Sequence, residues 1–257
     1  MAEIDVLQTG KMLVSSAVHN RDSKSGKFAY TGLFQSKKGR NDVPVKAFLI
    51  RINGKNILVD TGWSEQCAIN PRHHLGLALY FSSQPTVTLN DSVKRQLDAL
   101  GITPEQLDAV ILTHLDCDHV SGLKDLKGAK HIYAAKEELD ISLLPNPRYH
   151  KPLWEGVEIE PIEMNYDSRA PFGKSCDLFG DGSVRIVYTP GHSAGSVCVV
   201  VKQNGKMAVI AGDNGTSEKS WRDLISLRWL NKMYENEKCV AVLTAHDKDF
   251  KETKIEF

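Results

Sequence analysis

Apolar residues come in short runs along this chain, and most runs end in a turn former, an acid or an imidazole. Val45-Lys-Ala-Phe-Leu-Ile-Arg-Ile52 predicts a strand and Lys55-Asn-Ile-Leu-Val-Asp60 its neighbour. Asn53-Gly54 joins them, a pair that suits a two-residue hairpin because both positions need positive φ. Asp91 to Leu100 predicts a helix with Asn90 or Asp91 as cap, Val93, Leu97 and Leu100 on one face, and Gly101 as its stop. Asp108 to Leu112 predicts a buried strand. Ala135 to Leu144 predicts a helix that Pro145 and Pro147 end.

The second half repeats the style without repeating the residues. Val184-Arg-Ile-Val-Tyr188 predicts a strand leading to the turn Thr189-Pro-Gly-His-Ser193. Ser196 to Lys202 and Lys206 to Ala211 predict a second hairpin around Asn204-Gly205. Ser217 to Glu235 predicts a long helix whose Trp221, Leu224, Ile225, Leu227, Met233 and Tyr234 are expected to face the core. Cys239 to Thr244 predicts a last buried strand. Strands and hairpins followed by strand–helix alternation, twice over, predict an α/β sandwich of two similar halves with sheets inside and helices outside. No repeat, low-complexity tract or linker divides the 257 residues, so one domain, 1–257, is expected.

Charge narrows the choice of partner. Lys+Arg and Asp+Glu both number 32, a balance that gives no support to nucleic-acid or membrane-surface binding. The most basic stretch, Ser36-Lys37-Lys38-Gly39-Arg40, is expected to be a solvated loop. The first ten residues lack the basic start and apolar run of a leader, and no run approaches a membrane span. Cys67, Cys117, Cys176, Cys198 and Cys239 are odd in number and scattered, as in a reduced, cytoplasmic protein. A small-molecule substrate is the expected partner, with a homo-oligomer left open.

The chemistry gathers at run ends. Ile57-Leu-Val is followed by Asp60-Thr-Gly62, and Val110-Ile-Leu by Thr113-His114-Leu-Asp116-Cys-Asp118-His119. Ala208-Val-Ile-Ala is followed by Gly212-Asp213-Asn-Gly215, and Val240-Ala-Val-Leu by Thr244-Ala-His246-Asp247. His192 lies in the turn after Tyr188. Taken singly, His192 or His246 is most simply a structural hydrogen bonder and Asp213 a turn former. Asp60 is expected to bond loop amides or to orient a neighbouring ligand. His114, Asp116, Asp118 and His119 together are different. Four ionisable groups in six residues after a buried strand would be costly without a cation, and a divalent metal supplies the missing charge.

His114-Leu-Asp-Cys-Asp-His119, Thr189-Pro-Gly-His-Ser-Ala-Gly-Ser196, Ala211-Gly-Asp213 and Thr244-Ala-His-Asp247, in this order, resemble the metallo-β-lactamase superfamily. Val59-Asp-Thr-Gly62 adds to the likeness, which runs from about Val45 to Asp247 and is greatest toward the N-acyl homoserine lactonase branch. The resemblance implies a four-layer αβ/βα sandwich with two mixed sheets inside. It implies two divalent metal ions, zinc first. His114, Asp116 and His192 would hold one metal; Asp118, His119 and His246 the other; Asp213 would bridge them. It also implies a hydrolase that opens an ester, lactone or thioester with metal-activated water, and Asp118 as the group that passes a proton to the leaving alkoxide.

Two departures matter. Asp116 stands where the family has its second histidine, and an added anionic oxygen favours iron or manganese more than an imidazole does. That opens a second reading, an iron-dependent redox enzyme akin to the flavodiiron branch, although no flavin-binding segment is visible. A third is a non-catalytic binding protein with a vestigial site. Lactonases of the branch also place a Tyr soon after the bridging Asp; here Asn214 or Thr216 would have to serve. Cys117 is expected to point into the core, His73 and His74 to lie on a surface loop, and Trp63, Tyr80 and Phe81 to line either the core or a substrate wall.

Overall fold

The protein is described here by a computed structural model covering residues 1–15, 40–215 and 225–257. The first of its two sheets starts with β1 (Glu3–Ser15), β2 (Arg40–Ile52) and β3 (Lys55–Val59), paired antiparallel. β4 (Ser83–Thr86) adds to β1. β5 (Ala109–Leu112), β6 (Ile132–Ala135) and β7 (Glu160–Ile162) then extend it in parallel from β3. β8 (Asn165–Tyr166), β9 (Lys174–Asp177), β10 (Val184–Tyr188), β11 (Val197–Gln203), β12 (Lys206–Gly212) and β13 (Cys239–Thr244) form the second sheet, in the order β13-β12-β11-β10-β9-β8. Only its β12–β13 pair is parallel, so both sheets are mixed. The last strand, β14 (Lys254–Glu256), returns to β1 at the edge of the first sheet.

Alternation along the strands makes the layers. In β5, Ala109 and Ile111 face the second sheet, where they meet Ile186, Val199 and Ile210. Val110 and Leu112 face the other way, into a cluster with Val93, Leu97 and Leu75 from the helices. A strand buried on both faces needs a continuous apolar run, which is how Ala109–Leu112 reads. In β11, Val197, Val199 and Val201 turn inward, while Cys198 and Val200 pack outward beside Leu230. The helices on the first sheet are α1 (Glu65–Ile69), α2 (Pro71–Ser82), α3 (Val93–Ala99), the single turn α4 (Cys117–Val120) and α5 (Lys136–Ser142). α6 (Ile225–Tyr234) covers the second. Helix, sheet, sheet, helix: the expected four-layer αβ/βα sandwich is present.

Both Asn-Gly turns form as expected, with φ of 51° and 74° at Asn53 and Gly54 and 51° and 77° at Asn204 and Gly205. β1 was not foreseen, because a register shift between Gln8 and Lys11 breaks its alternation. α3 is capped by Ser92, whose hydroxyl accepts from the Arg95 amide, rather than by Asn90 or Asp91, which belong to a preceding 3₁₀ turn. Leu100 ends exposed rather than buried. In α6, Leu230 is buried and Leu227 and Met233 pack against the sheet, but Ile225 and Tyr234 face solvent. Trp221 and Leu224, like Ser36 to Gly39, lie outside the described residues. No helix among those residues is long and apolar enough to cross a membrane.

Candidate metal centre

Five strand ends converge on one edge of the sandwich. β3 ends at Asp60, β5 leads through Thr113 into α4, β10 into the turn bearing His192, β12 into Asp213 and β13 into His246. One main-chain bond ties the two sheets here, Val197 donating to the Thr113 carbonyl at 3.0 Å, and within the first sheet Asp60 donates to the Ile111 carbonyl at 2.9 Å. Rigid strands therefore hold seven side chains that are far apart in sequence.

Their donor atoms fall into groups. His114, Asp116 and His192 form one, and Asp118, His119 and His246 another, each with ligand atoms within 4.8 Å of one another. Asp213 forms a third group with His114 and His119, one member from each of the other two. Its Oδ2 lies 3.5 Å from His192 Nε2 and 4.0 Å from His114 Nε2. Its Oδ1 lies 3.1 Å from both His119 Nε2 and His246 Nε2.

Several of these atoms are buried and make no hydrogen bond: His114 Nε2, His119 Nε2, His246 Nε2, Asp118 Oδ2 and Asp213 Oδ1. Each such atom costs about 1–3 kcal/mol when nothing satisfies it. Five of them gathered in these adjoining groups fit cation binding, since all can act as lone-pair donors and none must be a hydrogen donor.

The other ring nitrogens explain why the Nε2 atoms are free. His119 Nδ1 lies 2.8 Å from Asp60 Oδ2, and an ionised carboxylate only accepts, so Nδ1 carries the proton. His246 Nδ1 lies 2.7 Å from the Pro44 carbonyl, which sets the same tautomer. His114 Nδ1 lies 3.0 Å from Thr113 Oγ1, whose own proton goes to Asp60 at 2.8 Å. His114 therefore donates to Thr113, and its Nε2 also faces the centre. Asp60 further accepts the Thr113 amide at 2.8 Å. Both expected roles of Asp60, bonding a loop amide and orienting an imidazole, are present. A φ of 59°, which Asp tolerates better than most residues, turns its side chain back under the site.

Charge follows from this packing. Burial opposes ionisation of Asp213, yet His246, His119 and His192 around it hold its carboxyl well below the usual range. Where no cation is bound, burial likewise opposes a charged His246, but Asp213 and Asp118 outweigh it and push the imidazole up to about 10, so a metal at Nε2 would displace a proton. His119 is raised for the same reason, by Asp60, Asp213 and Asp118 acting against burial. His192 goes the other way: burial lowers it, only partly offset by Asp213 and Asp116.

Two functional residues escaped the sequence reading. Glu138, in α5, is buried and accepts the Leu115 amide at 3.0 Å, the Gly195 amide at 3.0 Å, Ser193 Oγ at 2.7 Å and Tyr149 Oη at 3.0 Å. It bolts the His114–His119 segment to the His192 turn. Gly195 is required there, because any Cβ would overlap the Glu138 main chain. Arg148 forks Asp116, Nε to Oδ1 and Nη2 to Oδ2 at 2.7 Å, and donates Nη1 to the His192 carbonyl at 2.8 Å. The expectation that Asp116 leaves the site one unit more negative is thereby corrected: a guanidinium in direct contact cancels it. A charged residue within a helix, and one after two prolines, carry no local signal of these contacts.

Other expectations sort as follows. Cys117 is buried among the apolar side chains of the first sheet's helical face. His73 and His74 lie on α2, not a loop, and His74 Nε2 bonds Ser121 Oγ at 2.9 Å. Trp63 is fully buried core and Phe81 is largely exposed on α2. The Asn214 amide is committed to Thr189 Oγ1 at 3.1 Å and the Ala211 carbonyl at 3.2 Å, so it is not free to replace the absent Tyr. Thr216 lies outside the described residues.

A four-layer α/β sandwich with histidine and aspartate donors gathered at its strand ends defines a class of metallo-hydrolases. The chain belongs to the metallo-beta-lactamase superfamily, whose family model matches residues 40–240. The N-acyl homoserine lactonase AttM of Rhizobium radiobacter is 24% identical over 232 residues, 81% of this chain and 83% of that protein. A solved N-acyl homoserine lactone hydrolase, with the product N-hexanoyl-L-homoserine bound at its catalytic metal center, has a TM-score of 0.74 at 20% identity, covering 96% of this chain and 94% of the other. AidC, a dizinc quorum-quenching lactonase, has a TM-score of 0.63 at 15% identity, covering 96% and 88%.

Proposed function

We propose that the chain is a dinuclear metal-dependent hydrolase that opens an ester, lactone or thioester bond. The observation that carries this reading is Asp213, whose two carboxylate oxygens face two different donor groups. His114, Asp116 and His192 would hold the first metal, and Asp118, His119 and His246 the second. Bound there, a divalent pair supplies charge that makes hydroxide available from water near neutral pH and polarises a carbonyl. Asp118 Oδ2, 3.3 Å from His246 Nε2 and without a hydrogen bond, is the residue we assign to take up the proton and return it to the leaving alkoxide.

The lactonase relatives support this substrate class, and zinc is the metal expected first. The iron-redox reading rests on a harder, anionic oxygen ligand at Asp116; Arg148 offsets the charge part of that argument. A vestigial site is disfavoured because all seven donors converge with their supporting bonds intact.

Elemental analysis of protein purified without added metal tests the reading, joined to hydrolysis assays on a panel of lactones, esters and thioesters. Two equivalents of zinc per chain with turnover on one bond class is the expected result. No metal bound, and no thermal shift on adding divalent ions, would overturn it; two equivalents of iron without hydrolysis would restore the redox alternative.

A further inference from the structure

Asp116 differs from the imidazole donors in that the side chain holding it is a cation, Arg148. Arg148 uses Nε on one oxygen and Nη2 on the other, a side-on fork that fixes the carboxylate plane. A carboxylate has about four lone-pair sites, and the fork occupies one on each oxygen. Oδ2 keeps a second, and two imidazole nitrogens lie close to that oxygen: His192 Nε2 at 3.0 Å and His114 Nε2 at 3.3 Å. That second site, which shares a hydrogen bond with His192 Nε2, faces the first donor group and is the one that would complete it.

Arg148 is itself held in register. Its amide donates to Asn146 Oδ1 at 3.0 Å, and its Nη1 reaches the carbonyl of His192, a member of the same group. Next to it, the Tyr149 hydroxyl is tied to Glu138, which anchors both ligand loops. Charge gives the second argument. Three neutral imidazoles would bring no charge to a metal; Asp116 with Arg148 also sums to zero.

We infer that Asp116 and Arg148 act as one unit that replaces a histidine, with Arg148 as the positioning residue that aims Asp116 Oδ2 at the first metal and cancels its charge. This rests on the metal-binding reading above. It assigns Arg148 a part in building the metal site, not in contacting substrate.

Metal stoichiometry and zinc affinity, measured by elemental analysis and by competition with a chromophoric chelator, test it in a four-member cycle. Wild type is expected to bind two zinc ions. Arg148→Met should keep one and bind the other about 10–100-fold more weakly, the usual cost of losing a group that orients a ligand. Asp116→His alone should also lose the first zinc, because it leaves the guanidinium without its anion beside the metal. The double variant Asp116→His/Arg148→Met should recover two tight equivalents, a rescue that a merely structural arginine would not show. Arg148→Lys, a charge without a fork, should fall between wild type and Arg148→Met. The far-ultraviolet circular dichroism of each variant confirms the fold. Unchanged affinity in Arg148→Met, tighter binding in it, or a double variant no better than Asp116→His would overturn the inference. A wild type that binds no zinc would instead bring down the metal reading itself, so the two failures are distinct.

Discussion

In the group formed by Asp118, His119 and His246, no side chain is more than 7% exposed; in the group of His114, Asp116 and His192, Asp116 is 20% and His192 27% exposed. The buried group is aimed by acceptors behind it, Asp60 under His119 and the Pro44 carbonyl under His246. β2 adds a second clamp, because the buried Lys46 ammonium donates to the Asp247 carbonyl at 2.6 Å and the Phe250 carbonyl at 3.2 Å, fixing the loop that follows His246. The more open group is aimed from the side, by Arg148 on Asp116 and by Glu138 on the loops. The orphaned carboxylate atoms lie in the buried group and on Asp213, and among the described residues no arginine or lysine pairs with the carboxylate of Asp118; in the open group a guanidinium holds Asp116. Two metal sites sharing one aspartate can therefore differ in how much of their charge balance the protein supplies.

The comparison breaks most completely if its shared member is removed. Asp213→Ala should weaken both metals beyond the about 10–100-fold cost of an orienting residue, seen as metal content falling below one equivalent after dialysis. Retention of two equivalents would show that the groups are independent.

Glu138→Ala should strike the open group selectively. It strands the Leu115 and Gly195 amides and two hydroxyls, and is expected to cost about 3–4 kcal/mol in urea unfolding. The first zinc should weaken more than the second. Asp60→Asn reverses the pattern, since the neutral amide has one acceptor oxygen where the carboxylate has two and cannot serve both His119 Nδ1 and the Thr113 amide. The second zinc should weaken about 10–100-fold in a chelator competition, with a smaller effect on the first through Thr113.

Away from the site, Asp167 provides a control for stability without metal. Hydrogen bonds from Arg169 and Ser175 hold its carboxyl below the usual range, more than offsetting burial. A folded pKa below the unfolded value of about 3.9 gives stability that is present above that pH and lost as pH falls below it. Asp167→Asn should thus lower the thermal midpoint at pH 7, with the difference from wild type shrinking below about pH 4. A constant difference down to pH 2 would contradict it. Smallest of all, Cys117→Ala should cost only about 1 kcal/mol and leave zinc content unchanged, because its thiol packs in the core. Loss of metal would instead make Cys117 a ligand.

Much of this was legible along the chain. The apolar runs and both Asn-Gly turns predicted strands that form where expected, because burial on both faces demands unbroken Val, Ile, Leu and Ala, and positive φ favours Asn and Gly. The cluster His114, Asp116, Asp118 and His119 was legible because four ionisable groups after a buried strand are costly unless a cation meets them, whereas His192, Asp213 and His246 joined them only through the family resemblance. β1 was not, since a register shift hides its period, and neither was the cap of α3, where Asn90, Asp91 and Ser92 are all competent caps.

What the sequence determined by itself was the fold class and the cluster of ionisable groups from His114 to His119, since hydrophobic period and residue chemistry are local properties. What only the tertiary structure decided was the meaning of Asp116. Its partner Arg148 lies 32 positions away and Glu138 bridges segments 23 and 57 positions off, contacts that no local pattern encodes. Whether a buried carboxylate adds charge to a site or brings none depends on what the fold packs against it, and here the fold packs a guanidinium.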